Sequence, residues 1–404
     1  MNSIHYAALN CIGGWPKPNR SLEDMMRVSL SGARSLMLVT ALLMSSSAFA
    51  APDATKIANS VVAAVQAKGG AKASFESAAA NGDDVVITNL KVSHDGRDVT
   101  VPSVVITAPV ERTPGGFTAT SIAFDNGKAV EEEQTITWTT GVSQNAIVPD
   151  PSEVNSKAKL TPFSRFELTG LSISQASTPD PVTIADISVD LGNVIDGAPN
   201  DGKLNITGIN VPGSVLAADE QTKTMFADLG YSSLLLNLAI DGGYDSSKSA
   251  LTIRGITIDG KDMGKLAIGG TFGGLPREKL QNPDQMDELA PTATLENAQI
   301  RFEDAGLTNR ILDMQAKQMG ATRETLATML PAALPLAFGQ FNITDQAFQQ
   351  KVVDAVGAFL KDPKSLTIKM MPAAPVQLMQ IGQTAMTSPD SALSMLAIDV
   401  SANN

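Results

Sequence analysis

One six-residue phrase recurs along the chain and constrains its fold more than any other feature. Ile87-Thr88-Asn89-Leu90-Lys91-Val92 has apolar residues at its first, fourth and sixth positions and asparagine at its third. Leu168-Thr169-Gly170-Leu171-Ser172-Ile173, Ile206-Thr207-Gly208-Ile209-Asn210-Val211 and Ile253-Arg254-Gly255-Ile256-Thr257-Ile258 repeat it with glycine third. Ile184-Ala185-Asp186-Ile187-Ser188-Val189 and Leu295-Glu296-Asn297-Ala298-Gln299-Ile300 are looser copies. A strand alternates with period two, so a step of three turns the apolar set to the other face unless an extra residue bulges out. Glycine or asparagine at the third position suits such a bulge. Each copy therefore predicts a strand bent at a bulge, apolar on one face and Thr, Ser or Asn on the other. The copies are too unevenly spaced for a strict solenoid, and a meandering antiparallel sheet fits them better.

The remaining pattern fills in this frame. Ile57, Val61 and Val65 recur every four residues before Gly69-Gly70, predicting one helix over 53–68. Residues 85–87 and 99–105 read as strands joined by the turn His94-Asp95-Gly96-Arg97, with Pro102 pointing to an edge or bulged strand. Asp241-Gly242-Gly243-Tyr244 and Asp259-Gly260-Lys261-Asp262 read as hairpin turns. Residues 149–162 and 279–291 are the best linkers. Towards the end, residues 307–319 predict a helix stopped by Gly320, and Thr322 caps a second, short one ending before Pro331. Phe348, Val352, Val356 and Phe359 mark a third, and strands over 365–370, 376–379 and 396–400 close the chain. The expected class is mainly β with an α+β C-terminal part. It is a long curved antiparallel sheet with bulged strands, and short helices at the N-terminus and in the last hundred residues.

Residues 25–50 read as a secretory signal. A basic start is followed by the apolar run 35–44 and by Ala48-Phe49-Ala50, a small-x-small cleavage site. The expected organisation is a leader over 1–50, with translation starting at Met25 or Met26 and cleavage after Ala50. An N-terminal helix region over 51–80, an extended antiparallel β region over 81–300 and a helical and β region over 301–404 follow. An uncleaved anchor is the alternative, although the apolar run is shorter than the roughly 20 residues a bilayer needs. The sole cysteine, Cys11, precedes this leader, so the exported chain relies on burial rather than disulfides. The expected location is the periplasm of a Gram-negative type envelope, peripheral to a membrane at most.

Charge and residue types exclude several chemistries. Thirty Lys and Arg stand against 42 Asp and Glu, a net charge of −12, which argues against nucleic acid as a partner. A hydrophobic content of 43% rules out wholesale disorder. Beyond the leader the only histidine is His94, beside Asp95 in a turn; it reads as solvated, with a metal or catalytic role as the alternative. Residues 264–274 are glycine-rich but lack the Gly-Lys-Ser/Thr ending of a phosphate cradle, and Glu131-Glu132-Glu133 reads as a solvated strand entrance. No Gly-x-Ser-x-Gly elbow and no acid–base pair is legible, so no catalytic residue, metal ligand or cofactor is assigned. Methionine is the one biased residue type: nine lie at or beyond Met286. Thioether side chains conform to variable apolar partners and also fill loosely packed cores.

The strand phrases, together with Ile300-Arg301-Phe302-Glu303-Asp304-Ala305-Gly306-Leu307 running from strand to helix, give the chain a resemblance to the AsmA-like and YdgA-like group of bacterial envelope proteins. It extends in style over roughly 80–330. The resemblance implies an elongated, curved sheet with an apolar inner face, linked to phospholipid movement or outer-membrane integrity. A cleavable signal departs from the N-terminal membrane anchor common in that group. Two functional expectations follow. The first is a non-enzymatic periplasmic protein that binds or shields lipid on an apolar sheet face. The second is a structural or adaptor protein with a sealed core, docking envelope proteins through its strand edges. In the first case Leu307, Ile311, Met314, Leu326, Met329 and Leu330 would line the ligand, on a hinged helix pair closing one end of that face.

Overall fold

The computed structural model describes residues 52–154, 156, 160–217, 219–280 and 287–404. The expected leader and Met286 lie outside the described residues, as do parts of both expected linkers. Asp53 caps the first helix, Ala54–Gln66, by accepting a hydrogen bond from the Lys56 amide at 3.0 Å, and Ile57, Ala58, Val61, Ala64 and Val65 form its buried stripe.

Among the described residues nineteen strands then form one antiparallel sheet. They are β1 (Lys72–Ser74), β2 (Ser77–Asn81), β3 (Asp84–His94), β4 (Arg97–Thr107), β5 (Val110–Glu111), β6 (Phe117–Asp125), β7 (Lys128–Glu131), β8 (Gln134–Thr137), β9 (Thr140–Val148) and β10 (Arg165–Gln175). The series continues with β11 (Val182–Ile195), β12 (Ala198–Pro212), β13 (Ser233–Asp245), β14 (Ala250–Gly260), β15 (Gly264–Gly273), β16 (Thr294–Asp304), β17 (Ser365–Met370), β18 (Val376–Gln377) and β19 (Ile398–Ala402). From β10 to β17 each strand pairs with the next, the meander that the repeated phrase predicts. On the N-terminal side β1 and β2 lie end to end along β3, β6 and β7 along β4, and β9 and β8 along β10. The Ala54–Gln66 helix touches β1, β2 and β3 as well as β9, so the sheet curls round it.

The bulge expected at the third phrase position takes two forms. In β12 the register slips between Ile206 and Ile209, and in β14 between Ile253 and Ile256, so these copies carry a true extra residue. From β3 to β11 the register does not slip. Instead every strand changes face at the same level: Ile87 and Leu90 stand opposite Val104 and Val101, and Leu168 and Leu171 stand opposite Ile187 and Ile184. Left-handed backbone marks this line on alternate strands, at Asn89, Asn126, Gly170 and Gly208. Because neighbours reverse together, the apolar face continues across the line without a slip.

The same line accounts for Pro102. The sequence offers an edge or a bulged strand for it; the edge alternative fails, because β4 is interior, flanked by β3 and by β6 and β7. Pro102 sits level with Asn89 and with the break between β6 and β7, where the ladder makes no demand for its missing N–H.

Other expectations need correction. Asp241-Gly242-Gly243-Tyr244 is not a turn; β13 runs through it to Asp245. A Cβ on Gly243 would lie 2.5 Å from the Arg254 guanidinium, so this glycine provides close approach instead of a reversal. The helix after Thr322 does not stop before Pro331 but spans Arg323–Gln340 with Pro331 and Pro335 inside it. Pro331 is buried, packed against Gly357 of the Gln346–Lys361 helix, and this tertiary contact supports the turn whose hydrogen bond proline cannot make. The expected strand over 376–379 ends at Gln377, and two helices, Leu378–Thr387 and Pro389–Leu396, follow where none was expected.

The main core lies between the first helix and the curled part of the sheet. Phe117, Ile87, Ile106 and Val85 have no exposed surface, and Phe124 stacks on Phe166 at 6.1 Å with Trp138 edge-on at 6.3 Å. The Trp138 indole donates to the Phe124 carbonyl at 2.9 Å.

Candidate functional site

Past β11 the sheet continues, and among the described residues its middle strands are less covered than the part around the first helix. Two cross-strand rows of apolar side chains run along one face from β10 to β19. One comprises Phe166, Val189, Leu204, Ile240, Ile256, Ile268, Ile300, Ile368 and Val400, each opposite the next. Beside it run Leu168, Ile187, Ile206, Leu238, Ile258, Leu266, Phe302, Leu366 and Ala402. The reverse face at this level carries Asn205, Thr257, Thr367 and Ser401, of the kind the phrase predicts, together with Ala239, Ala267 and Arg301.

Both ends of the rows are covered. Phe166 and Leu168 are 3% and 2% exposed within the core of the first helix. At the other end the Gln346–Lys361 helix packs on β17 and β19; Phe359 meets Phe302 edge-on at 6.2 Å, and Val400 is buried. Between these ends Ile240, Ile258 and Ile268 are 37%, 45% and 36% exposed. Isoleucines in the interior strands of a sheet seldom face water, and here three do so on neighbouring strands, set diagonally across the two rows.

Polar clamps hold the strand ends around this open floor. Arg254 occupies the β14 bulge, and its guanidinium donates to Asp241 at 2.7 Å, Asp201 at 2.9 Å and the Gly242 carbonyl at 2.7 Å. Hydrogen bonds to Asp241 and then Asp201 push the Arg254 pKa above its ordinary value. The Arg277 guanidinium lies 4.4 Å from the Tyr244 ring centre, and the Tyr244 hydroxyl donates to the Leu275 carbonyl at 3.0 Å. Leu275, Leu289 and Ala293 form a small cluster there on Leu251 and Phe272. At the opposite strand ends Arg310 covers Tyr231 at 4.7 Å and donates to the Leu229 carbonyl at 2.9 Å.

The residues expected to line a ligand are not gathered on this floor. Leu307, Ile311 and Met314 are half-buried along the Leu307–Met319 helix, whose buried side is Thr308, Leu312 and Ala316. Leu326 is buried, clustered with Leu312, Ala316 and Leu360, while Met329 and Leu330 face solvent. The helix pair thus packs on the Gln346–Lys361 helix, and it is that third helix which covers the sheet. Of the three exposed isoleucines only Ile258 lies in a repeated phrase; what sequence reasoning missed is that, among the described residues, all three are left open to solvent.

Of the other candidates, His94 lies 3.2 Å from Asp95, and Glu131 is paired with Arg97 at 2.6 Å. Among the described residues no group of three or more His, Cys, Asp and Glu is placed to hold a metal ion. Among them, too, no helix is long and apolar enough to cross a membrane. Residues 257–403, from the middle of β14 through β19, match a sequence-family model described as "Uncharacterized protein". No curated protein matches the chain.

Proposed function

We propose that this chain is a non-enzymatic protein of the bacterial envelope, exported to the periplasm, that binds or shields the acyl part of a lipid on the uncovered rows of its sheet. The observation that carries the reading is the half-exposed set Ile240, Ile258 and Ile268, continuous with an apolar row that is buried at both ends, at Phe166 and at Val400. A floor of branched aliphatic side chains without charges suits an alkyl chain, which gains from losing water contact and asks for no directed hydrogen bond. The resemblance to AsmA-like and YdgA-like proteins implies the same kind of ligand. The test is organic extraction of the purified mature chain followed by mass spectrometry, together with binding of a labelled phospholipid. Repeated absence of both would overturn it.

The second reading, a structural or adaptor protein, draws on a different part of the molecule. Around the first helix the face is sealed, with Phe117, Ile87 and Ile106 fully buried, and there the sheet has nothing to offer a ligand. An empty extract together with co-purified envelope proteins would favour it.

A further inference from the structure

Two stretches near the C-terminus contain no charged residue at all, 325–344 and 370–389, in a chain that is 18% charged. The first includes most of the Arg323–Gln340 helix, which buries only Leu326, Pro331 and Phe338. Leu336 is 75% exposed and Phe341, its C-cap, 56%. The second includes the Leu378–Thr387 helix, on which Met386 is 87% exposed, and Met371 ahead of it is exposed as well. The two stretches are tied at one end. The Asp390 carboxylate accepts from the Thr344 amide at 2.9 Å and the Asp345 amide at 3.2 Å, as well as from the Thr344 hydroxyl. Phe341 and Met386 each lie within a few residues of this clamp.

A helix that is apolar all round is ordinarily buried, yet this one shows leucine and phenylalanine to water. Its charge pattern narrows what would cover it. A protein partner is held in register by charged and hydrogen-bonding groups around an apolar centre, and these stretches carry no charged group. Two copies would also bring together chains of net charge −12. A lipid interface needs no register, and flexible methionines conform to it. We infer that the charge-free C-terminal helices dock on the surface of a bilayer made of neutral, zwitterionic phospholipid, next to the end of the sheet covered by the Gln346–Lys361 helix. This deepens the lipid-holding reading and rests on it for the cargo alone; the docking stands on the C-terminal helices.

The experiment is flotation of the mature chain with phosphatidylcholine vesicles, and with vesicles in which phosphatidylglycerol replaces part of the phosphatidylcholine. The chain is expected to float with neutral vesicles, and less so as the anionic lipid increases, because the protein is acidic. Leu336→Glu with Met386→Glu should stay at the bottom while its circular dichroism and melting temperature match the parent; the milder Leu336→Ser with Met386→Ser should fall between. A parent chain that does not float overturns the inference, as do Glu variants that float like it. Self-association in lipid-free buffer that Leu336→Glu abolishes, without flotation, overturns it in favour of a second copy. Ile258→Glu separates the two readings: it should empty the organic extract and leave flotation unchanged.

Discussion

A Cβ on Gly170 would lie 2.3 Å from the Thr139 hydroxyl oxygen, and Gly170 itself holds φ at +64°. This contact belongs to the line along which neighbouring strands reverse face together. The Thr139 amide donates to the Thr169 carbonyl at 3.0 Å, so the two chains cannot separate to make room. Gly170→Ala therefore combines left-handed strain with a steric clash and should destabilise by about 1–3 kcal/mol. Adding Thr139→Ala removes the hydroxyl but keeps the Thr139 Cβ 3.0 Å away, so it should recover most of the steric share and leave the torsional one, a non-additivity that urea unfolding of the four proteins measures. Additive losses would show that the two strands are free to part.

The phrase was legible because its information is local: a step of three next to steps of two states that a strand changes face. It does not state whether the partner strand changes at the same level. That depends on register, which joins Gly170 to Ala185 and Thr139 through pairings distant in sequence. The choice between edge and irregular strand at Pro102 is open in the sequence for the same reason, as its missing N–H matters only relative to Asn89 and to the gap between β6 and β7. The Arg323–Gln340 helix was cut short because two prolines outweigh local propensity until the packing of Pro331 on Gly357 is known. The candidate site divides likewise. Ile256 and Ile258 are plain in the sequence, whereas their exposure depends on where the Gln346–Lys361 helix ends its cover.

Ile258 and Leu168 stand in the same apolar row but should respond differently to truncation. Leu168 is 2% exposed, and Leu168→Ala should cost about 2–5 kcal/mol. Ile258 is 45% exposed, so Ile258→Ser should cost about 1 kcal/mol or less by losing only part of the burial term. If the floor holds lipid, Ile258→Ser should nonetheless lower the lipid recovered per protein. Parallel melting curves and extract mass spectra make the comparison. Lipid retained at the parent level in Ile258→Ser would remove this residue from the site.

Pro335 is exposed in the Arg323–Gln340 helix, whereas Pro331 is buried. An interior proline costs a helix about 3 kcal/mol through its lost hydrogen bond and its clash with the preceding turn. Pro335→Ala should therefore stabilise the chain, by about 2 kcal/mol once the greater freedom of the unfolded chain is subtracted. A higher urea midpoint is the expected result. An unchanged or lower one would mean that the bend at Pro335 is needed by its surroundings.

Arg112 grips Glu153 in a bidentate pair, both bonds 2.9 Å, and the Asp150 amide donates to the same carboxylate at 2.7 Å. The pair fastens the short Pro151–Val154 helix after β9 to the segment between β5 and β6. Each side chain is only 16% exposed, so water screens the contact weakly. The Arg112 hydrogen bond holds the Glu153 carboxyl below its ordinary value of 4.5, with the Asp150 amide helping and burial opposing. A depressed carboxyl binds fewer protons in the folded than in the unfolded chain just below 4.5. The stability it contributes is therefore complete above that pH and is lost as pH falls through the folded value. Glu153→Gln keeps the shape, removes the charge, and should cost about 1–3 kcal/mol at neutral pH. The gap between parent and variant in urea unfolding should then narrow steadily from about pH 6 to about pH 3. A gap that stays constant over this range would show that the pair acts through shape rather than charge.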